Sequence, residues 1–451
     1  MEDVVQSSSS NSIPPGDAPD LERRRFLQGA GPALLLPGLT APTLLAGPAG
    51  AASAPAEELT NMASVGSGAG IPEPFRIGVP QAVLDDLQAR LAQTRWPDEI
   101  DGAGWDYGAN REYLKELSDH WQHGYDWRGE EEALNRFPQF TVTVDGVDLH
   151  FVHIVGKGPN PMPLLLTHGW PDSFYRFVKM LPLLTDPASH GGRPEDAFTV
   201  VVPDIPGFGF SQKPTKPGTE PVRVSGLFAQ LMTEVLGYET YVAHGGDYGA
   251  SITEQLALHH PEGLLAIHLN NVPPQHAQKA RPEDVSDGER AYLLEVNDWG
   301  QREGAFTHVQ STKPQTLSYG LNDSPVGLLA WIVEKFHDWV DSDGHLERVI
   351  GKDELLTNVM IYWVTQTIGS ASRIYYEKAH HPAAEPSYVT VPTGFAVFEK
   401  DLTPAPRLFA ARFFNIQRWT ELPRGGHFAA FEVPDALTAQ LRDFFGPYRR
   451  G

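Results

Sequence analysis

The chain has 451 residues, with 35 Lys+Arg against 57 Asp+Glu and a formal net charge of −22. At 20% charged and 41% hydrophobic residues it has the composition of a globular protein, which excludes collagenous and wholly disordered chains. The negative balance argues against nucleic acid, because phosphate binding needs a basic surface that releases counterions. The absence of cysteine excludes disulfides, zinc thiolate sites and cysteine nucleophiles.

Residues 1–22 are polar, and Arg23-Arg24-Arg25-Phe26-Leu27 follows them. Next comes a Gly/Ala/Leu/Pro stretch to about Leu45, then Ala52-Ser53-Ala54. A basic start, a weakly apolar middle and an A-x-A pattern describe a signal peptide over 1–54, and the RRRFL run resembles the twin-arginine type. The expected location is therefore periplasmic or secreted. A spanning segment is disfavoured, since Pro32, Pro37, Pro42 and Pro48 interrupt the apolar stretch. Without cysteine there is no lipid anchor, and no stable membrane anchor is expected. A protein that leaves the cytosol already folded also needs no oxidative staple.

Residues 55–71 form a small-residue linker, and 72–140 read as an N-terminal meander. Within it, Val83, Leu84, Leu87 and Leu91 recur at helical spacing across Val79–Arg95, and a second helix is expected over Arg111–Trp121. The segment TVTVDGVDLHFVHIV alternates around Asp145-Gly146, the strongest hairpin signal in the chain. Beyond it the apolar runs MPLLLTH, AFTVVVPD, ETYVAHG, LLAIHLNN and TGFAVFE alternate with helical stretches. That pattern predicts a mostly parallel sheet with helices on both faces, an α/β class, and a hairpin leading into such a sheet matches the α/β-hydrolase fold. The core is expected in two parts, 141–280 and 388–451. Residues 281–387 lie between them as a helical cap insertion, illustrated by VGLLAWIVEKF.

The chemistry is expected where strands end. Gly245-Gly246-Asp247-Tyr248-Gly249 follows the ETYVAHG strand and has the small-x-nucleophile-x-small pattern of a strained strand-to-helix elbow. A bland glycine turn with Asp247 as a helix cap would share the pattern. With Asp at the nucleophile position, the electrophile is an alkyl carbon and the product is an ester on the protein. An epoxide or alkyl halide fits this better than a carboxylic ester. Water must then attack the Asp247 carboxyl carbon, which needs an oxyanion hole and a base.

Thr167-His168-Gly169-Trp170-Pro171 follows MPLLL, so the backbone N–H groups of Trp170 and Tyr248 are the candidate oxyanion hole. His168 reads as a loop residue, and the Asp204–Gly209 loop as a pocket wall. Arg424-Gly425-Gly426-His427-Phe428 precedes the closing helix and offers His427 as the base. Its orienting acid is sought in FEKDL; Asp401 is preferred because it falls past the strand end, with Glu399 as the fallback.

These residues belong to longer matching text: RWPDE, GWDYG and YDWR in the meander, HGWPDSF, GGDYGA, LNDSPVGLLAWIVEK in the cap, PTGFAVF, and RGGHFAAFE. The chain resembles the microsomal-type epoxide hydrolases over about residues 72–450. The resemblance implies a meander clasping the core, a helical cap and an Asp247–His427–Asp401 triad. It also implies two cap tyrosines that donate to the epoxide oxygen. One maps onto Tyr375, with neighbouring Tyr376 the weaker choice. The other maps onto Phe306, which has no hydroxyl to donate, so one tyrosine suffices or Tyr319, His308 or a water substitutes.

Trp170, Phe208 and Phe306 are the expected pocket lining. Three functions follow in order of preference: hydrolysis of a small apolar epoxide by water, haloalkane dehalogenation by the same aspartate, or a catalytically impaired binding homologue that lost a tyrosine at 306. Tyr248 beside the nucleophile and Tyr375 disfavour halide, while the intact triad speaks against an idle protein. No cofactor is expected, and no metal site, since His259-His260 and His380-His381 are adjacent pairs that project differently.

Overall fold

The computed structural model describes residues 70–280, 284–381 and 387–449. The signal and most of the linker expected at the N-terminus lie outside these residues. Asp145 and Gly146 both adopt positive φ (44° and 75°), the conformation a two-residue hairpin turn demands. They pair Val144 with Val147 between strands β2 (Gln139–Val144) and β3 (Val147–Ile154). The short strand β1 (Glu73–Phe75), which has no alternating pattern to announce it, pairs antiparallel with β2.

The sheet continues through β4 (Met162–Thr167), β5 (Phe198–Pro203), β6 (Tyr241–Gly245), β7 (Leu264–Leu269), β8 (Val389–Lys400) and β9 (Phe414–Gly426). Its spatial order is β1-β2-β3-β5-β4-β6-β7-β8-β9. Pairings up to β3·β5 are antiparallel and the remainder parallel. Helices cover both faces, which is why β5 and β6 are buried at every position and their sequences read as unbroken apolar runs. The expected α/β-hydrolase architecture is the observed one.

Two expected meander helices form at Gln81–Ala92 and Arg111–His123, and a third, Trp127–Leu134, follows them. The described residues between β7 and β8 form helices joined by loops and turns, with no strand among them. Its longer helices are Asp287–Glu303, Ala305–Thr312, Pro314–Asp323, Pro325–Trp339, Lys352–Thr365 and Ile368–His380. Local sequence starts several of them: Ser286 and Glu289 form a capping box, and Ser324 accepts from the Gly327 N–H with Pro325 at the first helical position. Pro325–Trp339 buries Val326, Leu328, Leu329, Ile332, Val333, Phe336 and Trp339, so its apolar stripe is core and not a membrane face. Among the described residues no helix is long and apolar enough to cross a membrane.

Candidate active site

Parallel strands deliver their loops to one edge of the sheet, and the candidate residues meet there. β4 and β6 are in register with Thr167 opposite Gly245, so the loops after them face each other. β8 and β9 are in register with Lys400 opposite Gly426, which sets Asp401 beside His427.

The β6 loop is the strained elbow its glycines predict. Asp247 has φ 55° and ψ −124° and precedes the helix Tyr248–His259. A non-glycine residue held there costs about 1–3 kcal/mol, a price met by the surrounding packing. A Cβ at Gly245 would lie 2.2 Å from the Gly249 carbonyl oxygen, and one at Gly249 would lie 2.0 Å from that of Thr167. The glycines are therefore required by close backbone approach. The Asp247 N–H donates to Asn271 Oδ1 (2.8 Å) on the segment after β7. The Trp170 N–H donates to Asp247 Oδ1 (2.8 Å), and a Cβ at Gly169 would sit 2.2 Å from that same oxygen.

His427 Nε2 lies 3.2 Å from Asp247 Oδ2, close but without hydrogen-bond alignment. On its other side, Nδ1 is 2.8 Å from Asp401 Oδ1, which also accepts from the Leu402 N–H. Asp401 is thus the carboxylate paired with His427, and Nδ1 carries the proton that this pairing requires. The last two residues of β8, Glu399 and Lys400, are exposed, and Glu399 has no part in the triad. Burial works to lower the His427 pKa, but the charges of Asp401 and Asp247 outweigh it and raise it to about 9. For Asp247, burial works upward; His427, the Arg176 charge and the Trp170 N–H prevail and hold the carboxyl below its ordinary value.

The cap closes over this group with rings. Phe306 stacks on Trp170 (centroids 5.3 Å apart, 8° between planes) and packs against Trp339 and Tyr375. Tyr375 meets Trp170 edge-on at 5.8 Å and Tyr248 at 5.5 Å. Trp339 lies edge-on to the His427 imidazole at 5.1 Å. Burial, reinforced by the Asp247 charge, raises the Tyr375 pKa far above the ordinary tyrosine value, so its hydroxyl keeps the proton it would donate. Tyr376 points away, stacked on the outer His380.

The possible substitutes for the missing cap hydroxyl are corrected by exposure: Tyr319 is 74% exposed and His308 is also on the outside. Both occupy the outer face of their helices, whereas Phe306 is buried. Phe208 departs from expectation as well. It is fully buried with its ring on His168 (5.3 Å), so it supports the loop before Trp170 rather than joining the ring group around Asp247. His168 is structural as expected, accepting the Ile205 N–H at Nε2. Asp204 is a hub that takes the Phe174 and Phe210 N–H groups and His150.

Four residues of the site had no sequence signal assigned to them. Asp172 accepts the Gly169 N–H and pairs with buried Arg176 one turn on, an i,i+4 pairing visible in DSFYR. Arg176 Nη1 approaches the His427 carbonyl (3.4 Å), and its guanidinium lies over Phe428. Asn271 and Trp339 carry no local mark, since their roles depend on which strand and which cap helix lie beside the elbow.

The family model described as "Epoxide hydrolase N terminus" matches residues 72–177, and that of the alpha/beta hydrolase fold matches 162–324. A provisionally named epoxide hydrolase of Stigmatella aurantiaca is 43% identical over 377 residues, covering 83% of this chain and 85% of its own. Epoxide hydrolase 1 of Oryctolagus cuniculus is 36% identical over 408 residues, covering 84% and 89%. The solved structure of Aspergillus niger epoxide hydrolase superposes with a TM-score of 0.73 at 31% identity, covering 86% of this chain and 99% of that one.

Proposed function

The chain belongs to the microsomal-type epoxide hydrolases and acts on an epoxide with water, and on that premise we propose a two-step route through an ester on Asp247. Asp247 Oδ2 attacks an epoxide carbon while Oδ1 stays on the Trp170 N–H; the ring C–O bond breaks and the oxygen takes the Tyr375 proton. Water then attacks the Asp247 carboxyl carbon, giving up a proton to His427 Nε2. The N–H groups of Trp170 and Tyr248 receive the oxyanion. Collapse breaks the acyl C–O bond, the departing oxygen takes the proton from His427, the diol leaves, and the proton left on the Asp247 carboxyl passes to His427 Nε2, restoring the ionised pair.

The observation that carries this reading is the division of the Asp247 carboxylate. One oxygen is held by a backbone N–H (2.8 Å), while the other faces a histidine oriented by Asp401. Esterification removes a negative charge from beside His427, which lowers its pKa, so its extra proton passes through solvent to the Tyr375 phenolate and Nε2 is free to act as the base. The electrostatics thus favour protonated His427 before the first step and neutral His427 in the second. The rings of Trp170, Phe306, Trp339 and Tyr375 favour a small apolar epoxide, as in detoxification or aromatic hydrocarbon catabolism.

The test is a single turnover with a small aryl epoxide in ¹⁸O-water. Label is expected in the Asp247 carboxylate, with unlabelled diol, and the ester is expected to persist in His427→Gln. Labelled diol at the first turnover, with no ester trapped, would overturn the route. Export rests on RRRFL and Ala52-Ser53-Ala54 alone. Replacing Arg23 and Arg24 by Lys is expected to retain the protein in the cytoplasmic fraction; unchanged export would overturn the twin-arginine reading.

A further inference from the structure

Glu432 ends the short helix Ala429–Glu432 after the His427 loop and has no place in the chemistry above. Its carboxylate faces inward. Oε2 accepts the Gly426 N–H and the Asp341 N–H, both at 2.8 Å, and Oε1 accepts the Phe428 N–H at 2.8 Å. Two of these donors bracket His427 in sequence, and the third belongs to the cap segment that follows helix Pro325–Trp339. The same junction carries three more bonds. The His427 N–H donates to the Trp339 carbonyl (2.9 Å), the Gly425 N–H to Asp341 Oδ2 (3.0 Å), and Arg424 Nε lies 3.2 Å from that oxygen. A Cβ at Gly426 would be 2.5 Å from the Trp339 carbonyl oxygen, so the loop and cap segment touch backbone to backbone.

A carboxylate that accepts N–H groups on both sides of one residue fixes that residue's backbone, and through it the direction of its side chain. Burial pushes the Glu432 carboxyl up to about 7 against the pull of its three amide donors, with the Asp401 charge adding to the rise. An acid is held at that cost only where its acceptors are used. We propose that Glu432 is the positioning residue for His427, tying the base loop to the cap backbone at Asp341 and acting on ester hydrolysis and not on ester formation. Ester formation needs Asp247, Trp170 and Tyr375, none of which it touches. Hydrolysis needs Nε2 to be aimed at a water beside Asp247.

The inference rests on the ester route, and one experiment separates the two. Ester formation and decay are followed by rapid quench and intact mass spectrometry with a small aryl epoxide, in the wild type, His427→Gln, Glu432→Gln and Glu432→Asp. Glutamine keeps one acceptor oxygen and sets an NH2 against a backbone N–H; aspartate keeps the charge but falls short. For both Glu432 variants, ester formation is expected within twofold of wild type and decay at least tenfold slower, so ester becomes the main steady-state species. Both rates are taken per esterified site, so a partly unfolded sample lowers the amplitude without moving their ratio. Equal slowing of both steps in either variant, or unchanged decay, would overturn the role of Glu432. Failure to trap ester in His427→Gln would instead overturn the route itself.

Discussion

The sheet edge and the cap build the same site by different means. On the core side, backbone does the work. The Trp170 N–H holds Asp247, the Asn271 side chain holds the Asp247 N–H, and register between strands sets His427 beside Asp401. On the cap side the groups turned toward the epoxide are side chains: Tyr375 offers a hydroxyl, Phe306 and Trp339 offer faces, and Lys378 lies over Tyr248, while cap backbone meets the His427 loop at Trp339 and Asp341. Charge is thus carried by parts that cannot move without unfolding, whereas polarity toward the epoxide oxygen is carried by single residues on packed helices. A replacement in the first region breaks the reaction. In the second, a phenylalanine stands at position 306, where the family resemblance implies a tyrosine, with the fold intact.

That contrast is tested most severely at its centre. Asp247→Ala is expected to lower turnover by about 10⁴-fold or more, with no ester detectable by intact mass, because the proposed route forms its ester on Asp247. Full folding by circular dichroism alongside that loss is part of the expectation. Activity within tenfold of wild type would mean that the core does not carry the chemistry.

Tyr375→Phe comes next. It leaves the epoxide oxygen without a tyrosine donor and is expected to slow ester formation by about 10²–10³-fold, the scale of a lost oxyanion-hole donor. Decay of the ester should stay near wild type, since His427 and Trp170 are untouched. A loss in decay rather than formation would assign Tyr375 to the wrong step.

Phe306→Tyr sharpens the comparison from the opposite side. Its ring would keep the stacking on Trp170 while adding a hydroxyl near Tyr375. Ester formation is expected to rise by up to about tenfold, a fraction of one donor's worth, with Tm changed by no more than about 3 °C. A fall in rate would show that the ring fills space the epoxide needs.

The smallest expected effect is on stability. Because folding raises the His427 pKa from 6.5 to about 9, it adds stability that is complete below pH 6.5 and is lost as pH climbs through 9. Wild-type Tm is therefore expected to fall between pH 6.5 and 9.5 by more than that of His427→Gln. Parallel pH profiles would mean that the two carboxylates do not hold a proton on the base.

Most of the core was legible because its signals are local. Apolar runs mark buried strands, Asp145-Gly146 marks the hairpin, and two glycines around Asp247 mark an elbow whose backbone leaves no room for a Cβ. The choice of Asp401 over Glu399 was legible for the same reason: only a residue past the strand end turns toward the next loop. What stayed hidden depends on partners far apart in sequence. Phe208 looked like pocket lining but supports His168, and Tyr319 and His308 looked available until their helix faces were known. β1 is too short to show a period, and it exists because β2 offers it an edge.

The amino-acid sequence alone therefore determined the reaction class and the order of the groups that perform it, since an aspartate at a glycine elbow and a histidine before the last helix are written in consecutive residues. Only the tertiary structure decided how those groups are aimed. Strand register, the Asp341 amide on Glu432 and the approach of Arg176 to the His427 carbonyl join segments up to 251 residues apart. Such contacts form where two surfaces happen to meet, and no periodicity along one segment encodes the other.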